Sequence, residues 1–149
     1  MPNSISSANL LSALADAVVA ADVQGLICWW NPAAEKLFGY DAQHAIGQSL
    51  DLITPERYRE RHWAGYRQAM QSGHSRYGDT LLRVPALHSS GQALSIAMTV
   101  SLLRSETGEV DKVVAVIRDE TKRFEEEKTM RARLAQLEAQ HQAPGSGQQ

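Results

Sequence analysis

The chain has 149 residues, enough for one domain with a real core and some extension. Its 15 Lys and Arg stand against 17 Asp and Glu, a formal charge of -2, so no cationic excess points to nucleic acid as a partner. Cys28 is the single cysteine, which rules out an internal disulfide; the polar start lacks the order of a secretory signal, and no apolar run can cross a bilayer, so a cytoplasmic protein without membrane contact is expected.

From Ile5 to Leu14, the residues Leu10, Leu11 and Leu14 recur at helical spacing and predict a short lead-in helix. Ala17–Ala21 reads as a buried strand, Asp22-Val23-Gln24-Gly25 as a tight turn, and Leu26–Trp30 as the returning strand of a hairpin. Asn31-Pro32 joins a good N-cap to a residue suited to the first helical position, so Ala33 to Phe38 should form a helix ended by Gly39. Asp41 to Ile46 and Leu50 to Ile53 read as brief helical turns. Thr54-Pro55 repeats the cap-plus-proline device and should open a longer helix that stops near Ser72-Gly73.

That longer helix carries a stripe of Tyr58, His62, Gly65, Tyr66 and Ala69, with Arg57, Arg59, Arg61 and Arg67 on the opposite side, where they suit water. Two readings of His62 stay open on residue types alone. Its ring is partly buried with one nitrogen satisfied by a carbonyl, or it faces a cavity and can ligate a metal.

Beyond the helix the period becomes two. Thr80, Leu82 and Val84 share one face of a strand that Pro85 marks as an edge or a bulge. Leu94, Ile96, Met98, Val100 and Leu102 alternate with small and polar residues in a half-buried antiparallel strand, bounded by turns at Ser89-Ser90-Gly91 and Glu106-Thr107-Gly108. Val113–Ile117 predicts a last, more fully buried strand. From Glu120 the chain is charged and alanine-rich. Met130, Leu134 and Leu137 fall at four-then-three spacing, about two heptads of a coiled-coil seam, and Phe124 lies off it. His141–Gln149 has the composition of a disordered tail.

This order of elements, together with Ala20–Ile27, Trp30-Asn31-Pro32-Ala33-Ala34-Glu35-Lys36-Leu37-Phe38-Gly39-Tyr40, Ile46-Gly47 and Arg118-Asp119-Glu120-Thr121, resembles the PAS sensor domains over roughly Leu11 to Glu127. The resemblance implies an α+β fold, a five-stranded antiparallel sheet with short helices on one face, flanked by the lead-in helix and a C-terminal coiled-coil helix. It divides the chain into a flank at 1–10, the sensor domain at 11–119, an output helix at 120–140 and a tail at 141–149. It also makes Asp119 and Thr121 the joint through which the sheet signals to the output helix.

Within that family, Tyr58-Arg59-Glu60-Arg61-His62 is similar to the proximal-ligand segment of the haem-binding oxygen sensors, a nitrogen-fixation kinase and a haem-regulated phosphodiesterase. The likeness implies haem b with His62 as the iron ligand, Arg76 near a propionate, and Met98 and Val100 above the iron. One departure is plain. The arginine that holds bound oxygen in those sensors is replaced by Leu82, and Arg83, one residue on, lies on the other face of the strand. A dry distal face implies a carbon monoxide, nitric oxide or redox responder. Met98 is inward core filler, or a sixth ligand.

The alternative is a non-haem dimerisation or regulatory module whose apolar pocket is empty or holds a small metabolite or a flavin. A cysteine-adduct flavin is excluded, because the helix that would carry the cysteine reads Leu50-Asp51-Leu52-Ile53; Trp29 and Trp30 are the candidate partners for a non-covalent one. The five histidines show no metal-site pairing and no glycine loop cradles a phosphate, so no enzymatic role is expected. A homodimer acting on a downstream signalling protein in trans is the expected assembly.

Overall fold

The computed structural model describes residues 4–74 and 80–141. The chain divides into two compact units, Met1–Asp119 and Glu120–Gln149.

The first unit opens with α1 (Ser7–Ala13), whose N-cap Ser6 accepts from the Asn9 N–H at 3.3 Å. Next comes the hairpin of β1 (Ala17–Asp22) and β2 (Ile27–Trp30). Asp22 closes its turn, Oδ1 accepting from the N–H groups of Gln24 and Leu26 at 2.9 and 3.0 Å, while Gly25 supplies the left-handed residue at φ 81°. Leu26 stands outside β2 and bridges to Ser49 instead.

Helix α2 (Pro32–Phe38) forms as the Asn-Pro pair dictates and ends at Gly39, φ 80°. Asp41 caps the short α3 (Ala42–Ala45), and Ser49 caps a 3-10 turn at Leu50–Ile53. The second Thr-Pro device behaves differently. The Thr54 hydroxyl turns back and donates to the Leu50 carbonyl at 2.8 Å, a separate 3-10 turn fills Glu56–Tyr58, and α4 (Arg59–Ser72) starts after it without a side-chain cap. Its end is as expected, at Gly73 with φ 72°.

Strands β3 (Leu82–Leu87), β4 (Ala93–Arg104) and β5 (Val110–Asp119) complete a five-stranded antiparallel sheet in the order β2-β1-β5-β4-β3. Thr80 lies in a bend before β3 rather than within it. Leu82 sits opposite Met98, which sits opposite Ile117, and Val19 opposite Ala115, so these side chains share the inner face. Of β5 only Ile117 is buried; Val113 and Ala115 border a hollow and stay half-buried, Ala115 also touching the core.

The packed core lies to one side, where Ile27, Trp30, Phe38 and Ala45 close on Ala17, Ile96 and Ile117. The Trp30 and Phe38 rings lie 5.3 Å apart, and the Trp30 indole N–H donates to the Tyr40 carbonyl at 2.9 Å. Asn31, 1% exposed, is the one buried polar residue among those described. Its Oδ1 accepts from the N–H groups of Val18 and Ala34 at 2.8 and 3.0 Å, and its Nδ2 donates to the carbonyls of Leu11 and Asp16 at 3.0 and 3.1 Å.

The second unit is α5 (Thr121–His141), whose first helical bond runs from the Phe124 N–H to the Glu120 carbonyl at 2.8 Å. Thr121 is therefore its first residue, one later than the expected start at 120, and His141 is its last residue instead of the start of the tail. Residues 142–149 lie outside the described residues. Met130, Leu134 and Leu137 are exposed, as is Phe124, and Glu127 pairs with Arg123 and Arg131 at 3.2 and 3.6 Å.

Replacing Asn31 by alanine orphans the buried Val18 N–H, removes a donor from the part-buried Leu11 and Asp16 carbonyls, and removes the α2 cap. The expected loss is about 2–4 kcal/mol, read as a lower urea midpoint at unchanged slope.

Candidate functional site: the cavity beneath helix α4

Helix α4 lies over the inner face of the sheet but does not fill the space beneath it. A cavity of about 810 Å³ remains, within the range of roughly 300–1,000 Å³ usual for small-molecule and cofactor sites. Its sheet wall is apolar and comes from four strands, with Val19 and Ala21, Val84 and Ala86, Met98 and Val100, and Val113 and Ala115. On the helix side Gly65 and Ala69 leave room, and a Cβ built on Gly65 meets no atom within 4 Å.

One end of α4 is fixed by aromatic residues. The Trp63 indole N–H donates to Asp51 Oδ1 at 2.8 Å, and its ring lies against Gly25, leaving no space for a side chain there. The Tyr66 hydroxyl donates to the Asp22 carbonyl, and burial, with Asp22 second, holds that phenol above its usual range. Arg59 reaches the Thr54 and Asp51 carbonyls at 3.1 and 3.2 Å, so it fastens α4 rather than merely facing water.

His62 lies on the cavity wall between these anchors, 4.7 Å from the Trp63 ring and 5.9 Å from the Tyr66 ring, centre to centre. Its Nδ1 is buried and has no hydrogen-bond partner among the described residues. Burial lowers its pKa from the ordinary 6.5, opposed by the Asp51 carboxylate, so the imidazole is held neutral, the form that ligates metals. The reading in which a carbonyl satisfies that ring does not describe this nitrogen.

Leu82, Met98 and Val100 line the cavity together with His62. Arg76 lies outside the described residues. Asp119 ends β5 opposite Ile96 and Thr121 opens α5; neither lines the cavity. Trp30 belongs to the core, and neither it nor Trp29 borders the hollow, which removes both as ring partners for a flavin. Cys28 lies on β2, also away from the cavity, and burial raises its pKa against the pull of Lys112. Sequence reasoning missed Arg61 and His74, which line the cavity too. The spacing of Arg61, Gly65, Gln68 and Ser72 along one helical stripe was the available signal, hidden because the stripe is polar.

Residues 8–119 match the PAS fold family. The chain is a PAS domain. It is 32% identical over 93 residues, 62% of its length, to an uncharacterized protein of Azorhizobium caulinodans. It is 39% identical over 54 residues, 36% of its length, to the sensor protein FixL of Bradyrhizobium diazoefficiens, and 36% identical over 50 residues, 34% of its length, to the oxygen sensor protein DosP of Escherichia coli. These matches span 13%, 11% and 6% of the respective relatives. Among solved structures, a PAS domain from Colwellia psychrerythraea is 26% identical with a TM-score of 0.68, covering 77% of this chain and 94% of that one. An RNA-binding light-oxygen-voltage receptor shares the fold at 20% identity and a TM-score of 0.65, over 85% of this chain and 36% of that one. Among the described residues of this PAS domain no helix is long and apolar enough to cross a membrane.

Because His62 binds a proton less readily in the folded chain than in the unfolded one, the unfolded state takes up more protons as the pH falls below 6.5. Stability should therefore drop on acidification through that window and be independent of this ring above it. Urea midpoints from about pH 7.5 to pH 5 check this, with a smaller acid-side loss expected in His62→Gln.

Proposed function

We propose that this PAS domain is a cytoplasmic, non-enzymatic sensory module that holds haem b in the cavity beneath α4, with His62 as proximal ligand. The observation that carries the reading is the half-buried, neutral imidazole whose Nδ1 is buried without a partner among the described residues, on the wall of a cofactor-sized hollow with an apolar sheet side. A haem needs only one such ligand from the protein, and among the described residues no cluster of three or more His, Cys, Asp or Glu offers a chelating alternative. Likeness to DosP, an oxygen sensor by name, agrees with a gas-responsive site.

A haem held there by His62 would supply an iron able to take a diatomic gas or change redox state. Leu82, Met98 and Val100, on the sheet wall, offer no hydrogen-bond donor to a gas bound beside them. Oxygen gains partial negative charge on binding and needs such a donor; carbon monoxide and nitric oxide depend on it less, so these gases or a redox change are the proposed stimuli. Arg83 is no substitute, since it follows Leu82 on a strand whose successive side chains alternate faces. Strand β5 carries the response. It contributes Val113, Ala115 and Ile117 to the cavity and runs through Asp119 and Thr121 into α5 with a single residue between strand and helix.

The receiver is a separate signalling protein, engaged by a homodimer. With Leu134 at heptad position a and Met130 and Leu137 at d, the flanking Glu126, Arg131, Arg133 and Glu138 carry opposite charges at the g and e positions that meet between two copies. A light receptor among the structural neighbours speaks for the fold alone, and Cys28 stands away from the cavity, where no flavin adduct can form.

Haem-supplemented protein should show a Soret band that His62→Ala abolishes while the circular dichroism spectrum stays unchanged; full haem retention in that variant overturns the assignment. Changing Leu134 and Leu137 together to serine should shift the sedimenting species from dimer toward monomer, and an unchanged dimer mass removes α5 from the interface.

A further inference from the structure

The charges around the cavity are one-sided. Although the chain has more acidic than basic residues overall, among the described residues no Asp or Glu lines the hollow, whereas Arg61, His62 and His74 do. Asp51, the carboxylate that acts on His62, is engaged elsewhere. It accepts from the Trp63 indole and pairs with Arg59 at 3.8 Å. Arg61 is exposed, so it borders the cavity where the hollow meets solvent, and it is in no ion pair among the described residues.

Gln68 and Ser72 continue from Arg61 along the same side of α4, seven and eleven residues on, and also line the cavity, with His74 just past the helix end. The site is therefore built in two parts. The apolar sheet wall faces a polar, cationic rim. An apolar molecule with no head group would leave Arg61 bonded to water alone at the mouth; a carboxylate there gives its planar guanidinium a charge-assisted partner without burying the charge.

We propose that the cavity takes an apolar ligand bearing a carboxylate, whose acid group lies at the mouth against Arg61. The inference rests on the reading that this cavity is the ligand site, and it holds whether the acid belongs to a porphyrin side chain or to a fatty acid.

Two matched pairs of probes test it with the full chain: dodecanoate against dodecyl alcohol, and iron protoporphyrin against its dimethyl ester. Each acid should bind about three- to tenfold more tightly than its neutral counterpart, with the margin shrinking as salt is raised. Arg61→Gln should erase the margin and its salt dependence. Arg67→Gln, which removes the same charge from a position on α4 that does not line the cavity, should leave both unchanged. Equal affinity within both pairs, the same effect from both variants, or no binding by any probe overturns the proposal. If dodecanoate shows the margin and the iron porphyrin does not bind, the carboxylate site stands and the haem reading falls. If iron protoporphyrin and its ester bind alike and both need His62, the haem reading stands and Arg61 has no part in recognition.

Discussion

A single buried amide ties together the segments on which this fold depends. An asparagine side chain has two donors and two acceptor sites, and Asn31 uses all of them, on α2, on the start of β1, on the loop at Asp16 and on the end of α1. Satisfied in full, such a network specifies one arrangement; satisfied in part, it would be worse than an apolar side chain in its place. β1 pairs with both β2 and β5, so fixing its first residues fixes the hairpin and the central register of the sheet together.

The hollow beside that anchor follows from where bulk is spent. Trp30, Phe38 and Ile27 fill the space under α2 and α3, whereas Ala21, Ala86, Ala115, Gly65 and Ala69 face one another across the region under α4. Protein interiors are ordinarily close-packed, so side chains this small cannot meet across the gap without collapse. Collapse is prevented by Trp63, Tyr66 and Arg59, which hold α4 off the sheet through Asp51, Asp22 and Thr54. The same helix thus supplies both the roof and its supports.

Elements governed by local rules were legible in the sequence. The alternation along β4, the Asn-Pro start of α2 and the glycine ends of α2 and α4 each need only neighbours in the chain, and the stripe that puts His62 on the cavity wall follows from helical spacing. Features that depend on distant partners were not legible. Thr54 chose the Leu50 carbonyl over a capping role; Val113 and Ala115 read as core because nothing in β5 announces the void they face. Arg61 was assigned to water by its charge, although the rim of a cavity is wet as well. The family likeness suggested the ligand role proposed for His62, while its unpartnered nitrogen emerged only with the ring's surroundings.

The two margins of the sheet also limit how the molecule can meet its own kind. β2 is four residues long, irregular in its pairing with β1, and followed after one residue by Pro32; β3 carries Pro85, which has no N–H to offer a new neighbour. Both ends of the sheet are poor templates for adding a strand. Runaway stacking into fibrils through these edges is therefore disfavoured, and crowding many copies together leaves side-chain surfaces, not backbone, as the means of association.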